Sequence, residues 1–413
     1  MPEHPDQLAA LRHLLATLRE QGNRFYAPRL DAAGLDESLA SLDDFYRVCP
    51  LTTKDELAAD HLEHPPYGSN LTFPLDRYTR YCQTSGTTGQ PMRWLDTNDS
   101  WQAMLDCWRR VYDAAGCAAG ERVFFAFSFG PFLGFWTAFE AATQLNYLAI
   151  PGGGMSSAAR LQTIFANHAT TLCCTPTYAI HLARAAAAHG YDLQQSAVAR
   201  LIVAGEPGGS LPATRDLITR LWHGARVVDH HGLTEVGPVT FEDPQRPRCL
   251  RVMTDAYLHE VLNPDTQQPV APGEEGELVL TTLRRTACPL LRYRTGDLVR
   301  ADPNDRDLLV GGILGRIDDM VSVRGVNVYP AAVEQLVRQH PGVVEYQVTL
   351  DTRGPMAQLS LLVEPDEDAP ADALCAAVAS SLRDALHLRI DVTPAAPGSL
   401  PRYELKAKRW KRV

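Results

Sequence analysis

The sequence predicts an α/β protein with a large N-terminal domain of mainly parallel sheets and a β-rich subdomain, followed by a small, mobile α+β C-terminal domain. Its 413 residues exceed what one core usually supports, and its 45% hydrophobic content suffices for two cores. Between residues 122 and 229, short apolar runs alternate with longer helical stretches, which is typical of a parallel sheet covered by helices. The unit after residue 318 has the size of a separate domain. We therefore predict domains at 1–317 and 318–413.

The individual elements are predicted from hydrophobic periodicity. An N-terminal helix is expected at 7–22, because its leucines share one helical face. The alternating region gives strands at 123–127, 147–150, 171–174, 201–204 and 226–229, and helices at 132–143, 158–168, 178–188 and 211–222. Shorter strands between 256 and 300 indicate the β-rich subdomain. The C-terminal domain is predicted to contain helices at 330–339 and 371–387 and strands at 344–350 and 357–364.

Composition and charge limit the classes of partner. A net charge of −10 and a pI of about 5.7 disfavour nucleic acid, although residues 406–412 form a basic run that is either a solvated end or a segment that meets phosphates. The nine cysteines lack metal-ligand spacing, so neither a zinc site nor a disulfide framework is expected. No apolar run approaches the ~20 residues that span a bilayer, and the N-terminus lacks signal-peptide features. We expect a soluble, cytoplasmic protein that binds neither nucleic acid nor membrane.

A loop rich in glycine and hydroxyl side chains follows a short alternating run that predicts a strand. Its residues are Thr84, Ser85, Gly86, Thr87, Thr88 and Gly89. Glycines let backbone N–H groups face an anion, and the hydroxyls add further donors. It is not a Walker loop, since Gln90-Pro91 stands where a Lys-Ser/Thr pair would be needed. From this run alone, a phosphate-binding loop and a surface turn both remain open.

The loop resembles the nucleotide loop of the acyl-adenylate-forming superfamily, and further motifs of that superfamily follow in order. They are Gly205-Glu206-Pro207, His231-Gly232-Leu233-Thr234-Glu235, Tyr293-Arg294-Thr295-Gly296-Asp297, Gly315-Arg316-Ile317-Asp318-Asp319 and Lys406. Phe25-Tyr26 and the run 51–57 (LTTKDEL) resemble the opening of phenylacetate-CoA ligases. The resemblance therefore covers the chain almost end to end and implies ATP, Mg²⁺ and coenzyme A as cofactors.

The resemblance assigns nucleotide-binding roles by position. The loop 84–89 would clasp the β- and γ-phosphates, Thr234 would meet the α-phosphate, and Glu235 would hold Mg²⁺, which prefers oxygen ligands. The remaining nucleotide-binding candidates are Gly205, Glu206 and Pro207, together with Asp229 and His231 at the adenine and Asp297 and Arg316 at the ribose. A structural salt bridge is the alternative for the ribose pair. The chain departs from the usual pattern at Gln90, His231 and Leu405, where relatives commonly have Lys, Tyr and Gly.

Lys406 would be the catalytic lysine that bridges the attacking carboxylate and the α-phosphate, with Lys408 as the alternative register. Adenylation needs this lysine in the site, and the thiol needs the same path to the acyl carbon in the second step. We therefore expect the C-terminal domain to turn about the hinge Asp318 between the two steps. The alternative is that Asp318 belongs to an ordinary linker. Arg324 and Gly325 would then line the thiol tunnel. Phe132, Trp136 and Gly237 are the candidates for the acid pocket, although aromatic side chains of this kind are also common in plain cores.

The resulting hypothesis is an AMP-forming ligase that activates an aromatic or hydrophobic carboxylic acid as acyl-AMP and transfers the acyl group to a thiol, coenzyme A first of all. Three alternatives stay open: transfer to a carrier protein or an amine, adenylylation of a deazaflavin cofactor, and a non-catalytic nucleotide-binding protein. The three departures from the usual motif residues motivate the last of these.

Overall fold

The structure is a computed structural model that describes residues 5–84, 91–324, 326–353, 357–403 and 407–413. It divides into two compact units, each built from separate stretches of the chain. The first unit comprises the residues up to 121 together with 128–149 and 230–310, and the second comprises 122–127, 150–229 and 311–413.

Helices and strands alternate along most of the chain. The helices are α1 Pro5–Glu20, α2 Ala27–Ala33, α3 Leu42–Val48, α4 Lys54–Glu63, α5 Asn98–Ala115, α6 Leu133–Gln144, α7 Ser157–Ala166, α8 Pro176–Ala188, α9 Pro212–Leu221, α10 Pro330–Arg338 and α11 Ala371–Leu386. The first strands are β1 Tyr78–Gln83, β2 Arg93–Thr97, β3 Arg122–Phe125, β4 Leu148–Pro151, β5 Thr171–Cys174, β6 Arg200–Val203, β7 Arg226–Asp229, β8 Gly232–Leu233, β9 Gly237–Pro238, β10 Thr240–Glu242 and β11 Cys249–Val252. The remaining strands are β12 Tyr257–Leu262, β13 Glu275–Thr282, β14 Tyr293–Asp302, β15 Asp305–Val310, β16 Gly315–Arg316, β17 Val321–Val323, β18 Val326–Val328, β19 Val343–Asp351, β20 Gln358–Pro365, β21 Asp391–Pro394 and β22 Trp410–Arg412.

The first unit contains the β-rich region that the sequence predicts. Its main sheet runs in the order β10-β11-β15-β14-β13-β12, and the pairs along it are antiparallel. The pairing of β13 with β14 shifts between Glu277 and Val279, and Gly296 on β14 has a positive φ of 73°. This irregularity lies directly before Asp297.

The second unit contains the parallel sheet, in the order β4-β3-β5-β6-β7. The register pairs Cys174 with Val203 and Val203 with Asp229, so β5, β6 and β7 end level with one another. Buried side chains such as Phe124, Leu172 and Leu201 form its core against the neighbouring helices. The predicted alternation of strands and helices is confirmed, and the segments after these three strands meet at one edge of the sheet.

The C-terminal part of the second unit is an α+β structure, as predicted. Strands β19 and β20 pair antiparallel, β21 and β22 flank them in parallel, and α10 and α11 share the apolar core with the sheet. The basic C-terminal run thus includes a strand, and of its described basic residues Arg409 is buried whereas Lys408, Lys411 and Arg412 are exposed. Gln335 accepts the N–H of Ala213 at 3.1 Å, and Arg184 donates to the carbonyl of Val343 at 3.1 Å. Residues 311–413 therefore belong to the same compact unit as the parallel sheet. The domain boundary at residue 318 stays a prediction.

The length and polarity of the helices and the state of the cysteines bear on the membrane, metal and disulfide expectations drawn from composition. No helix within the described ranges is both apolar enough and long enough to cross a bilayer. All nine cysteines fall in those ranges and are free thiols, and eight of them are buried.

The motif at 51–57 has a local structural cause. Thr53 is the N-cap of α4: its hydroxyl accepts the N–H of Glu56 at 3.2 Å, and the Glu56 carboxylate accepts the N–H of Thr53 at 2.7 Å. This reciprocal capping box satisfies two backbone donors at the start of the helix.

We predict that Thr53→Ala lowers the stability of the first turn of α4 by about 1 kcal/mol, because the N-cap acceptor is lost. Amide hydrogen exchange of peptides covering 54–63 should then accelerate about fivefold. Thr53→Ser retains the hydroxyl and serves as the control with parental exchange. Parental exchange in the alanine variant would show that the capping box contributes nothing to the helix.

Candidate active site

The ends of the predicted phosphate loop are joined in the first unit. Strands β1 and β2 pair antiparallel, and beyond them Thr84 donates its N–H to the carbonyl of Met92 at 3.0 Å while its hydroxyl accepts the Met92 N–H at 3.0 Å. Strands β1 and β2, which flank the loop in the sequence, therefore pair with each other. Ser85, Gly86, Thr87, Thr88, Gly89 and Gln90 lie outside the described residues.

The backbone at Thr234 and Glu235 is fixed by a buried arginine. One guanidinium nitrogen of Arg285 donates to both carbonyl oxygens at 2.8 Å. The other two nitrogens form a bidentate ion pair with Asp96, at 2.8 and 2.6 Å, and both side chains are almost fully buried. The sequence analysis missed both residues, because nothing local marks a pairing across 189 positions.

Glu235 is only 6% exposed. Its carboxylate supplies the hard oxygen ligands that Mg²⁺ prefers. No group of three or more His, Cys, Asp or Glu side chains in the described ranges could hold a metal by itself. Glu235 therefore fits the role of a single protein ligand, and a Mg²⁺ ion would need further ligands from beyond these residues.

Two predicted nucleotide-binding residues meet directly in the first unit. His231 Nε2 lies 2.9 Å from Asp297 Oδ2, and Asp297 is 3% exposed. The other ring nitrogen of His231 is buried and has no partner among the described residues. Asp297 is also held by its own backbone, since its N–H donates to the hydroxyl of Thr295 at 3.0 Å. The arrangement presents one carboxylate and one imidazole nitrogen as neighbouring polar groups.

His230 is a structural neighbour of this pair. Its Nδ1 lies 2.7 Å from the carbonyl of Thr240, and its ring packs against Trp108 with centroids 4.5 Å apart. Burial lowers the pKa of His230 from its usual 6.5 to about 4, more than the hydrogen bond to Thr240 raises it. The ring is therefore neutral at pH 7.

The second unit brings Glu206 and Asp229 to the carboxyl edge of the parallel sheet. The Glu206 carboxylate accepts the N–H of Thr177 at 2.8 Å and the N–H of Ala407 at 3.0 Å. Asp229 accepts the hydroxyl of Ser210 at 2.5 Å. A Cβ on Gly209 would lie 2.4 Å from the Asp229 carboxylate, so the adjoining turn requires glycine. Gly205 and Pro207, on either side of Glu206, are exposed.

Arg316 and the predicted hinge residue Asp318 form a bidentate ion pair with each other, at 3.0 and 3.1 Å. Asp318 is largely exposed, as are Arg324 and Lys408. Gly325 and Lys406 lie outside the described residues. The alternative of a structural ion pair for Arg316 thus has a concrete partner, which differs from the aspartate that the sequence analysis considered.

The three acid-pocket candidates belong to the first unit. Helix α6, which begins after Phe132 and contains Trp136, contacts the hairpin strand β9 that contains Gly237. Trp136 is 37% exposed and donates its indole N–H to the carbonyl of Gly130 at 3.0 Å. Gly237 has a φ of 97°, and a Cβ there would lie 2.9 Å from the sulfur of Met104. The aromatic side chains at the start of α6 are therefore partly accessible rather than plain core.

The chain belongs to the AMP-binding enzyme family. The family model described as "AMP-binding enzyme" matches residues 70–283, and the model described as "AMP-binding enzyme C-terminal domain" matches residues 325–411. The chain is 31% identical to phenylacetate-coenzyme A ligase of Thermus thermophilus over 421 aligned positions, which cover 95% of this chain and 92% of that protein. The predicted resemblance is confirmed.

Solved structures of 2-hydroxyisobutyryl-CoA ligase share the fold. In the postadenylation state with 2-HIB-AMP, the TM-score is 0.91 at 28% identity, covering 98% of this chain and 89% of that one. In complex with 2-HIB-AMP and CoA in the thioesterification state, the TM-score is 0.71 at 29% identity, covering 98% and 88%. These matches confirm the predicted fold class.

We predict that burial of His230 makes the protein less stable as the pH is lowered. Its pKa lies below the unfolded value, so between pH 6.5 and 4 the unfolded chain binds the proton and the folded chain does not, and stability present above pH 6.5 is lost on acidification. Relative to His230→Gln, the parent should lose about 2 kcal/mol of unfolding free energy between pH 7 and pH 5. Urea unfolding followed by tryptophan fluorescence measures this difference. The exposed His13, changed to Gln, should leave the parental pH dependence intact, whereas the same result for His230→Gln would refute the prediction.

Proposed function

We propose that the chain is an AMP-forming acid–thiol ligase. It joins a carboxylic acid to the AMP moiety of ATP with release of pyrophosphate, and a thiol, coenzyme A in the first instance, then displaces AMP to give a thioester. The single observation that carries the proposal is its likeness, over 95% of its length, to a phenylacetate-coenzyme A ligase. Glu235, which is only 6% exposed and carries a carboxylate suited to Mg²⁺, supports the nucleotide half of the reaction.

In the first step, a carboxylate oxygen of the acid attacks the α-phosphorus and pyrophosphate leaves. We assign Glu235 to a Mg²⁺ ion, which would neutralise phosphate charge when bound, and the Thr234 hydroxyl to the α-phosphate. Arg285 keeps both residues in place through their carbonyl groups. Asp297 and Arg316 would hold the ribose and the loop 84–89 the outer phosphates, while Asp229 and His231 would bind the adenine; Gly205 and Pro207 stay assigned to the nucleotide without a specified group. Lys406 would stabilise the charge that builds up between the two reactants.

In the second step, the thiolate attacks the acyl carbon and AMP leaves with the electron pair of the broken C–O bond. We propose that residues 318–413 turn about Asp318 between the two steps and that Arg324 and Gly325 then face the thiol. The two states of 2-hydroxyisobutyryl-CoA ligase, which match this chain with TM-scores of 0.91 and 0.71, support such a change. The turn would have to accommodate the Arg316–Asp318 ion pair at its pivot.

The acid is proposed to be aromatic or otherwise hydrophobic, because Phe132 and Trp136, at the start of α6, are partly accessible aromatic side chains. Transfer to a carrier protein or an amine, and adenylylation of a deazaflavin, would use the same first step. Mass spectrometry of the products with and without coenzyme A distinguishes these acceptors. Pyrophosphate release over a panel of aryl and alkyl acids tests the reaction itself, and its absence with every acid would favour a non-catalytic nucleotide-binding protein.

We predict that Lys406→Ala reduces acid-dependent pyrophosphate release by about 10²- to 10³-fold, because a charge that stabilises the transition state is removed. Thioester formation from supplied acyl-AMP should stay within a few-fold of the parent, since that step needs no such bridge. Lys408→Ala is the matched control from the same segment and should retain both steps. Equal losses in both steps of the Lys406 variant, or a selective loss in the Lys408 variant, would remove Lys406 from its assigned role.

A pair of variants tests whether Asp297 binds ribose or only pairs with His231. Asp297→Ala should weaken ATP and AMP binding together by tenfold or more, because hydrogen bonds to a charged group contribute about 1.5–3 kcal/mol. His231→Phe keeps an aromatic face and leaves the carboxylate available, so nucleotide affinity should change less than threefold. Isothermal titration with the exposed Asp265→Ala as control measures both. Equal effects of the two variants would instead favour a structural pair.

A further inference from the structure

The carboxylate of Glu206 links two segments that are far apart in the sequence. One oxygen accepts the N–H of Thr177 at 2.8 Å, and the other accepts the N–H of Ala407 at 3.0 Å, across 201 positions. Thr177 lies in the first turn of α8, where backbone N–H groups lack intrahelical partners and the helix dipole favours negative charge. The carboxylate is therefore held firmly on the α8 side and offers its second oxygen to residue 407.

Arg409 makes a second connection between the same segments. Its guanidinium lies 3.4 Å from the Thr177 hydroxyl and is paired with Glu345 at 2.7 Å and Glu334 at 3.2 Å. Burial alone would raise the pKa of Glu334, but Arg409 and Arg338 outweigh it and lower this pKa to about 2. The ion pairs are thus charged at neutral pH, and they fix Arg409 within the C-terminal part of the chain.

The chain beyond Arg409 is held as well. The carbonyl of Arg409 accepts the N–H of Val348 at 2.8 Å, and β22 then pairs in parallel with β19. Residues 407–413 therefore have a fixed place on the C-terminal sheet. The contacts with Glu206 and Thr177 connect this segment to the edge of the parallel sheet.

We infer that Glu206 is a positioning residue for adenylate formation: it anchors residue 407, and with it the neighbouring Lys406, to the start of α8. This inference rests on the proposed function and changes the role of Glu206 from nucleotide contact to anchor, because both of its oxygens already accept backbone N–H groups. Hydrogen bonds to a carboxylate are roughly twice as strong as neutral ones.

A turn of residues 318–413 about Asp318 would break the Ala407 bond and the Arg409–Thr177 contact, whereas the pairs of Arg409 with Glu334 and Glu345 would move with the domain. Glu206 therefore favours one of the two arrangements.

The anchor itself is tested without any activity, by hydrogen exchange of the full chain in the absence of ligands. In Glu206→Ala, exchange in peptides containing residue 407 should accelerate about tenfold or more, since a charge-assisted bond of about 1.5 kcal/mol is lost. In Glu206→Gln, which keeps the size of the side chain and can accept only one of the two N–H groups, the increase should be smaller. Asp216→Asn, an exposed carboxylate on α9, is the matched control with parental exchange. Unchanged exchange at 407 in both Glu206 variants would overturn the inference.

Kinetics then separate an anchor from a nucleotide contact. For an anchor, Glu206→Ala should lower kcat for pyrophosphate release about tenfold while KM for ATP and thioester formation from supplied acyl-AMP stay within about twofold. A raised KM for ATP with unchanged kcat, or equal losses in both steps, would overturn the anchor role. Failure of the parent to release pyrophosphate with any acid would count against the proposed function alone, because the exchange experiment would still decide whether Glu206 holds residue 407.

Discussion

Three parallel strands that end level with one another are the constraint on which the second unit depends. The register of β5, β6 and β7 places Thr175 to Thr177, Ala204 to Glu206 and Asp229 at the same sheet edge. Polar groups in these segments lie where backbone strand pairing stops, and the Glu206 and Asp229 side chains there accept hydrogen bonds from neighbouring segments. Glu206 can reach the start of α8 only because β5 and β6 are neighbours.

In the first unit, a buried ion pair rather than the register of neighbouring strands positions the candidate residues Thr234 and Glu235. Arg285 and Asp96 form an ion pair with little access to solvent, and the remaining guanidinium nitrogen of Arg285 donates to the carbonyl groups of Thr234 and Glu235. A buried pair of this kind is weak evidence for stability, since a well-packed apolar pair of equal size is often as stable. The pair instead determines geometry, because Arg285 fixes the backbone of Thr234 and Glu235 in the turn between β8 and β9.

Much of the fold could be predicted from the sequence because the apolar runs of 122–229 and 330–387 have clear periods. The predicted helix at 178–188 begins two residues earlier in the structure, because Thr175 caps it and Pro176 fits its first turn. The basic run at the C-terminus was misjudged as solvated or phosphate-binding at Arg409, since charge composition says nothing about the buried Glu334 and Glu345 that pair with it. Motifs marked both His231 and Asp297 as nucleotide-binding candidates, and the structure brings these two side chains into contact. Arg285 and the partner of Glu206 could not be found, because each depends on a contact between distant positions.

The bond from Ala407 to Glu206 is made by the main chain, and this affects how the sequence can vary. Every amino acid other than proline supplies the same N–H, so position 407 is free to change without loss of the contact. Mutational drift at this position would therefore leave no trace of the interaction, and covariation between 206 and 407 would be absent even in a large alignment. Of the two partners, only the Glu206 carboxylate depends on the identity of its amino acid. Substitution of Glu206 would therefore remove the contact, whereas substitution of residue 407 would not.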